Sequence, residues 1–502
     1  MGIVRRQSIL NLIISYSGVL IGFINVSLLF PHFFTSDEYG LRSVLLETAM
    51  ILSFMLAFGS NHVVHRYFPK IDNTDEKKKK LFIIIAIIPF FFLLVSYFVY
   101  VPFVSVVSNY YLEKAPLFSQ YFKYTFPIAC LMAYLLLISS FSVVNYKTIF
   151  QNFVRDILLR VMLTILILLY GYDLISFSGF WFGFCVTYLV AILILIGYSY
   201  KDIKKILKIK INYSYKELNI KELITFMSMS VLGASVALLA LRVDVLMIAG
   251  ELGEKYAGVY GLSVYLLSLA DMPRRSLSTI SAPIISKYVN TTDYSEIITI
   301  QKKTSVNLLI ISGLVISLIW VNLESFYEII PKGEFLRLGM ITFLILAISK
   351  LFDGVIGLSG EIIAYSKYYK YNIIISIITL ALAIGLNRLL IPMYGLEGAA
   401  FASLISIAVS KISRLFIVYR KFRITPFSTN YFRSVFFTGL LILITYYVQI
   451  DTDTIIVNII FNTGIVLVLF TCIVLAFKPS QDITQLITVT MDLIRKKLSK
   501  SS

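Results

Sequence analysis

The chain reads as an all-α polytopic membrane protein. Of its 502 residues 58% are hydrophobic, with a mean hydropathy of +0.85, above the roughly 45 to 50% apolar share of soluble domains. Fourteen apolar runs approach the length needed to span about 30 Å of hydrocarbon at about 1.5 Å per residue. Basic residues alternate from one connecting loop to the next, as cytoplasmic and outer loops do.

Six runs make the first half: 9–30, 41–60, 81–101, 122–144, 157–170 and 177–198. Six more follow at 223–250, 256–270, 305–321, 335–348, 372–391 and 396–418, and a last pair covers 434–450 and 454–477. The organisation this predicts is an N-lobe over 1–200, a basic cytoplasmic linker over 201–221 and a C-lobe over 222–423. A helix pair over 424–478 and an amphipathic cytoplasmic tail over 479–502 complete it. In that tail Ile483, Leu486, Ile487, Ile494 and Leu498 share one face beside a basic end, a pattern suited to an interfacial helix on anionic lipid. The first run has no small-residue cleavage signature and is too long for a signal-peptide core, so it reads as a retained helix.

Charge tests the count, because one misplaced helix would scramble the alternation. With both termini cytoplasmic, the outer segments hold only Arg42, Lys114, Lys123, Lys255, Lys332, Arg337 and Arg388. Arg242 lies within a run, and every other one of the 45 Lys and Arg residues falls on the inner side. The net charge of +17 therefore marks topology rather than a nucleic-acid partner. Lys350, Lys411 and Arg414, with Asp353, lie toward the cytoplasmic third, where snorkelling accounts for them. Trp181 and Trp320 fall at outer ends, where an indole suits the membrane interface.

The repeat is visible once the runs are placed. FFTSDEYGLRSVL matches LGEKYAGVYGLSV when Gly40 is set on Gly258, and SFSGFWFG matches YGLEGAAF when Gly179 is set on Gly398, at offsets of 218 and 219. Agreement of the two offsets argues for two parallel six-helix bundles, a transporter plan with substrate at the repeat interface.

Charges inside apolar helices mark function, since placing Arg or Asp at a helix centre costs about 2.5 to 3.5 kcal/mol on insertion scales. Arg242 and Asp244 in LLALRVDVLMIAG are such charges. Two residues apart, they point roughly 200° apart and do not pair with each other. Glu47 in the second run lies at a matching depth, roughly 10 Å below the outer end at 1.5 Å per residue. That match suggests a gate in which Glu47 and Arg242 pair while the outer end is closed and separate when it opens.

SDEYGLRSVL, FGSNHVVHRYFP and LRVDVLMIAGELGEKYAGVYGLS together resemble the polysaccharide-exporter branch of the MATE-like (MOP) flippase superfamily, which includes Wzx-type O-antigen flippases. The resemblance implies a V-shaped two-lobed transporter in a bacterial cytoplasmic membrane. It would move an undecaprenyl-pyrophosphate-linked oligosaccharide outward by alternating access for surface polysaccharide biosynthesis. It also implies a cavity lined by the first, second, seventh and eighth helices, with Arg242, Asp244, Glu47 and Asn25 as candidate contacts and Arg66, Asp271 and Arg274 as a candidate cytoplasmic-side gate. A sodium or proton gradient is the candidate driving force, membrane lipids surround the chain, and a polysaccharide polymerase and other assembly proteins are candidate partners. Many relatives carry a proline near the start of the seventh helix, where this chain reads ITFMSMS.

Other features argue against different function classes. Cys130, Cys185 and Cys472 lie in apolar runs without a CxxC or Cys/His cluster, so neither a disulfide framework nor a zinc site is indicated. His62 and His65 share a helical face but lack a third ligand. With no nucleophile-and-base set, glycine-rich phosphate loop or metal cluster, the sequence reads as a non-enzyme without a cofactor. A cation-coupled drug or small-molecule exporter of the same superfamily is the closer alternative.

Overall fold

The computed structural model describes residues 2–71, 76–145, 147–209, 220–291, 293–330, 333–448, 450 and 452–501. Among these it is all helical apart from turns and connections. Among the described residues nine helices are long and apolar enough to cross a membrane, or ten if one bent pair counts as a single span. Positions 210–219 of the basic linker and Asp75 of the charged turn after the second run lie outside the described residues.

The chain divides into two compact units, one up to Gly258 and one from Val259. The first contains α1 (Gly2–Phe23), α2 (Ser36–Leu56), α3 (Ser60–Tyr67), α4 (Glu76–Tyr111), α5 (Pro116–Val144), α6 (Leu159–Gly171), α7 (Phe177–Leu207) and α8 (Ile220–Glu251). Helix α9 (Glu254–Leu267) begins in the first unit and ends in the second. The second continues with α10 (Met272–Tyr288), α11 (Ser295–Val321), α12 (Met340–Ile356), α13 (Ser359–Tyr365), α14 (Lys370–Phe422), α15 (Thr429–Tyr447), α16 (Ile455–Phe477) and α17 (Gln481–Ser501).

In the first unit α2 is the hub, packing on α5 and α8, while α5 packs on α7. Its start is fixed by a capping box: the Glu38 N–H donates to Thr35 Oγ1 at 3.3 Å and the Thr35 N–H to Glu38 Oε2 at 2.9 Å, satisfying two otherwise orphan donors. Gly59, at φ +69°, turns the chain from α2 into α3. A Cβ there would lie 2.7 Å from the Met227 carbonyl of α8, so a residue larger than glycine would force the helices apart. Val63, Val64, Leu81, Phe141, Leu223 and Met227 form the core around this corner. Helix α8 runs 32 residues without interruption and contains no proline.

In the second unit α11 packs on α12 and α15, and α12 on α14. Two glycines shape it. Gly357 (φ +55°) separates α12 from α13 with a bend of 55°, and Gly395 (φ +59°, ψ −131°) breaks α14 between the eleventh and twelfth apolar runs.

Two expectations change here. Trp181 and Trp320 are buried, not interfacial: Trp181 lies among Phe177, Phe180 and Phe184, and Trp320 stacks on Tyr446 at 5.7 Å. Aromatic packing consumes the faces that an interface would have used. The tail also does more than lie on lipid. Ile483 and Ile487 of α17 pack on a core containing Leu309, Tyr431 and Val474, and Asn307 of α11 donates to Asp482 at 3.1 Å and accepts from Ser480 at 2.6 Å. Leu486 remains exposed, and the side chains of 493–500, including Ile494 and Leu498, lie outside the described set.

Candidate functional site

Helix α2 presents Glu47 toward α8 because apolar neighbours at Val44, Leu45 and Ala49 are buried in the bundle. There the structure brings two of the sequence candidates together: Arg242 Nη1 donates to Glu47 Oε1 at 2.7 Å. The side chains stay 29% and 21% exposed, so the pair is open on one side rather than sealed in the core. Arg42, one and a half turns earlier on α2, also acts electrostatically on Glu47, so one carboxylate answers two guanidiniums. A pair at this distance attracts by about 4 kcal/mol at an effective dielectric near 20 before desolvation is subtracted. A change of partner there can therefore shift a two-state equilibrium.

The other candidates have different roles. Asp244 is buried and partnered, consistent with its angular separation from Arg242. Asn25 does not face an open cavity: it is fully buried in a π-helical turn, Ile24–Leu29. Its amide donates to the Arg160 carbonyl at 2.8 Å and accepts from Thr164 Oγ1 at 2.8 Å. Both ends of the carboxamide are used to join the first and fifth segments. Arg66 lies over the Phe226 ring at 4.4 Å, a cation–π contact.

Near the capped end of α2 the first unit is held by a second acid. Glu254 is 2% exposed and accepts from the Leu117 and Phe118 N–H groups, each at 3.1 Å, at the start of α5. It precedes the apolar run that begins at Tyr256, and burial pushes its carboxyl up to about 7 against the pull of those two N–H groups. Gly40 and Gly258, which the repeat superposes, touch here. A Cβ on Gly40 would overlap the Glu254 carbonyl, and one on Gly258 would lie 2.9 Å from the Gly40 Cα.

The second unit contains a network that sequence reading dispersed. Asp271 accepts from Lys350 at 2.8 Å, and Arg274 reaches Glu361 at 3.2 Å and Asp353 at 3.7 Å. Lys411 pairs with Asp353, Ser278 donates to Glu361 at 2.8 Å, and Arg414 Nε donates to Asn372 at 3.3 Å. Snorkelling is thus the wrong account of Lys350, Lys411 and Arg414, since Lys350 turns to Asp271, Lys411 to Asp353 and Arg414 to the Asn372 carboxamide. Asp353 and Glu361 stand eight residues apart, and the bend at Gly357 carries the chain between them. Gln301 satisfies that bend, donating to the Ile356 carbonyl at 2.7 Å and accepting the Leu358 N–H at 2.8 Å. Asp271 and Arg274, expected at a gate, are members of this network. Among the described residues no group of three or more His, Cys, Asp or Glu side chains is placed to hold a metal ion.

No protein-family model and no curated protein matches the sequence. Solved structures do. A structure described as the lipid II flippase MurJ in an inward closed conformation matches over 93% of this chain and 99% of that one, at a TM-score of 0.70 and 16% identity. The fold is that of the MOP-superfamily transporters. An inward-facing multidrug-resistance MATE transporter of the MOP superfamily matches over 88% of this chain and 99% of its own, at a TM-score of 0.63 and 10% identity. A MOP-superfamily transporter from Pyrococcus furiosus matches over 83% and 93%, at 0.57 and 12%. A MOP-type helical scaffold thus carries charged side chains within its apolar helices.

Proposed function

We propose that this chain is a flippase that moves an undecaprenyl-pyrophosphate-linked oligosaccharide across the bacterial cytoplasmic membrane for O-antigen or capsule biosynthesis. The observation that carries the reading is the Glu47–Arg242 pair, half open at 2.7 Å between two apolar helices. Arginine's planar fork grips a pyrophosphate through paired, charge-assisted hydrogen bonds. An arriving pyrophosphate competes with Glu47 for Arg242, loosens the pair and favours opening of the outer end, so substrate binding drives alternation. Likeness to a structure described as a lipid flippase supports the same reading. In it the fourteen apolar runs are fourteen spans, both termini are cytoplasmic, residues 1–200 and 222–423 are the two lobes, and the chemistry is transport rather than catalysis. The coupling ion is sodium or a proton, and a polymerase receives the product outside.

Cells deleted for this chain are expected to accumulate lipid-linked oligosaccharide on the cytoplasmic leaflet and to lose a surface glycan. Normal surface glycan with altered resistance to cationic drugs would favour the second reading, a cation-coupled exporter, to which the similarity with multidrug MATE structures also leads. Topology has its own test. In a cysteine-free background, cysteine at Thr452 should label from outside and cysteine at Lys205 should not.

A further inference from the structure

The turn that joins α8 to α9 is held by groups outside its own helices. Setting Gly40 on Gly258 sets Ser36 on Glu254, and the two copies of this turn are closed differently. In the first copy Thr35 and Glu38 cap α2 themselves. In the second the buried Glu254 side chain leaves its own helix and accepts the Leu117 and Phe118 N–H groups of α5, each at 3.1 Å. Those donors belong to the orphan N–H groups of a helix start, and the cap residue of α5, Ala115, has no side-chain oxygen to take them. Helix α5 is therefore capped from a distant part of the chain. The fit around this cap is close. The Tyr111 phenol donates to the Leu246 carbonyl at 3.2 Å, and a Cβ on Gly253 (φ +109°) would lie 2.8 Å from the Lys114 carbonyl.

We propose that Glu254 is a latch of the outer end: its carboxyl, seated on α5, holds the 246–258 turn against α2 and α5, and its withdrawal into water frees that turn when Glu47 and Arg242 part. Release exchanges like for like, as a two-state element requires. Water replaces Glu254 at the two N–H groups, and the carboxyl regains its own hydration. A proton biases the exchange. Burial pushes the seated carboxyl up to about 7 against the pull of the two N–H groups, and Asp37 of α2 adds to the rise. Among the other charged groups on the elements packed here, Glu38 is engaged by Thr35 and Tyr170. Glu113 and Lys114 are exposed, and Glu251 and Lys255 flank Glu254 on its own turn. A carboxyl in water ionises well below 7, so protons hold the outer end closed and rising pH releases it. This inference rests on the alternating access of the reading above and not on its substrate.

The test follows maleimide labelling of the purified full-length protein in lipid nanodiscs, carrying Cys130→Ser, Cys185→Ser and Cys472→Ser. The reporter is Ala115→Cys, at a fully buried position beside the latch. Each rate is divided by that of Thr452→Cys, which is exposed, to cancel the pH dependence of the thiol itself. Between pH 6 and pH 8 the ratio should rise roughly tenfold. Glu254→Gln keeps an acceptor that does not ionise and should flatten the rise, whereas Glu254→Ala should raise the ratio at both pH values. Ala347→Cys, buried on α12, should show neither change, which separates local release from unfolding. If Glu254→Ala does not fold, the profile of Glu254→Gln still decides. A ratio indifferent to pH, a parent-like slope in Glu254→Gln, a parent-like ratio in folded Glu254→Ala, or an equal rise at Ala347→Cys overturns the latch. The flippase reading is tested by glycan export in cells, so the two can fail independently.

Discussion

The two units solve the problem of charge in an apolar bundle in opposite ways. In the second, Asp271, Asp353 and Glu361 are shared among Lys350, Arg274 and Lys411, with Arg414 anchored on Asn372. In the first, Glu47 stands between Arg242 and Arg42 with its Oε2 lacking a hydrogen-bond partner, and Arg160 Nη1 has no acceptor. A nearly self-neutralised network fixes how α10, α12 and α14 fit together, because any other packing leaves a buried charge alone. An unbalanced one has capacity left for a ligand. The comparison predicts that charge removal breaks the fold in the second unit and breaks transport in the first.

The largest effect is expected at Arg242. Arg242→Ala should abolish transport in a complementation assay while folded protein persists, and Arg242→Lys should restore it only in part. The double reversal Glu47→Arg with Arg242→Glu should recover more transport than either reversal alone. Equal inactivity of all three at normal expression would remove the gate and leave Arg242 as a direct ligand.

Asp353→Asn should act on stability instead. Stripping the acid from Lys411 and Arg274 is expected to cost about 3 to 5 kcal/mol, read as a lowered unfolding midpoint and reduced membrane yield. Adding Lys411→Met should return part of that loss, because the orphaned cation goes with it. If Asp353→Asn were as stable as the parent yet inactive, the contrast between the units would collapse.

The smallest effect is a pH dependence at Glu254. Its carboxyl is raised by burial to about 7, so the native state binds the proton more tightly than the unfolded chain does. The resulting stability is fully present below the ordinary carboxylate range and is lost as pH rises through about 7. Unfolding midpoints should therefore fall between pH 5 and pH 8 in the parent and change less in Glu254→Gln. Identical slopes would show that the titration lies elsewhere.

Much of the fold was legible because hydropathy and loop charge are one-dimensional signals. The apolar runs fall on helices, and the partners Glu47 and Arg242 were legible from matched depth alone. The same bookkeeping hid the rest. A loop-charge count takes in Arg42 and Arg160 although each lies just inside an apolar run, and depth alone puts Lys350, Lys411 and Arg414 at the surface. Their acids, Asp353 and Glu361, flank a glycine whose positive φ is invisible in a hydropathy profile. Asn25 is the converse case, a polar residue singled out by depth whose carboxamide is engaged in helix–helix hydrogen bonding. Depth is read from sequence, but azimuth around a helix, and hence partner choice, depends on packing.

The bend at Gly357 has a consequence for how the chain is made. Buried backbone groups freed at such a break cost about 1 to 3 kcal/mol each if left unsatisfied, so a newly synthesised α12–α13 segment is not stable there on its own. Its surrogate peptide group, the Gln301 carboxamide, belongs to α11, which leaves the ribosome first. The acceptor and donor are thus already waiting when residues 356–358 arrive, and the order of synthesis sets the order of assembly. Exchanging Gln301 for leucine would strand the later helix at the moment of insertion, long before transport is asked of it.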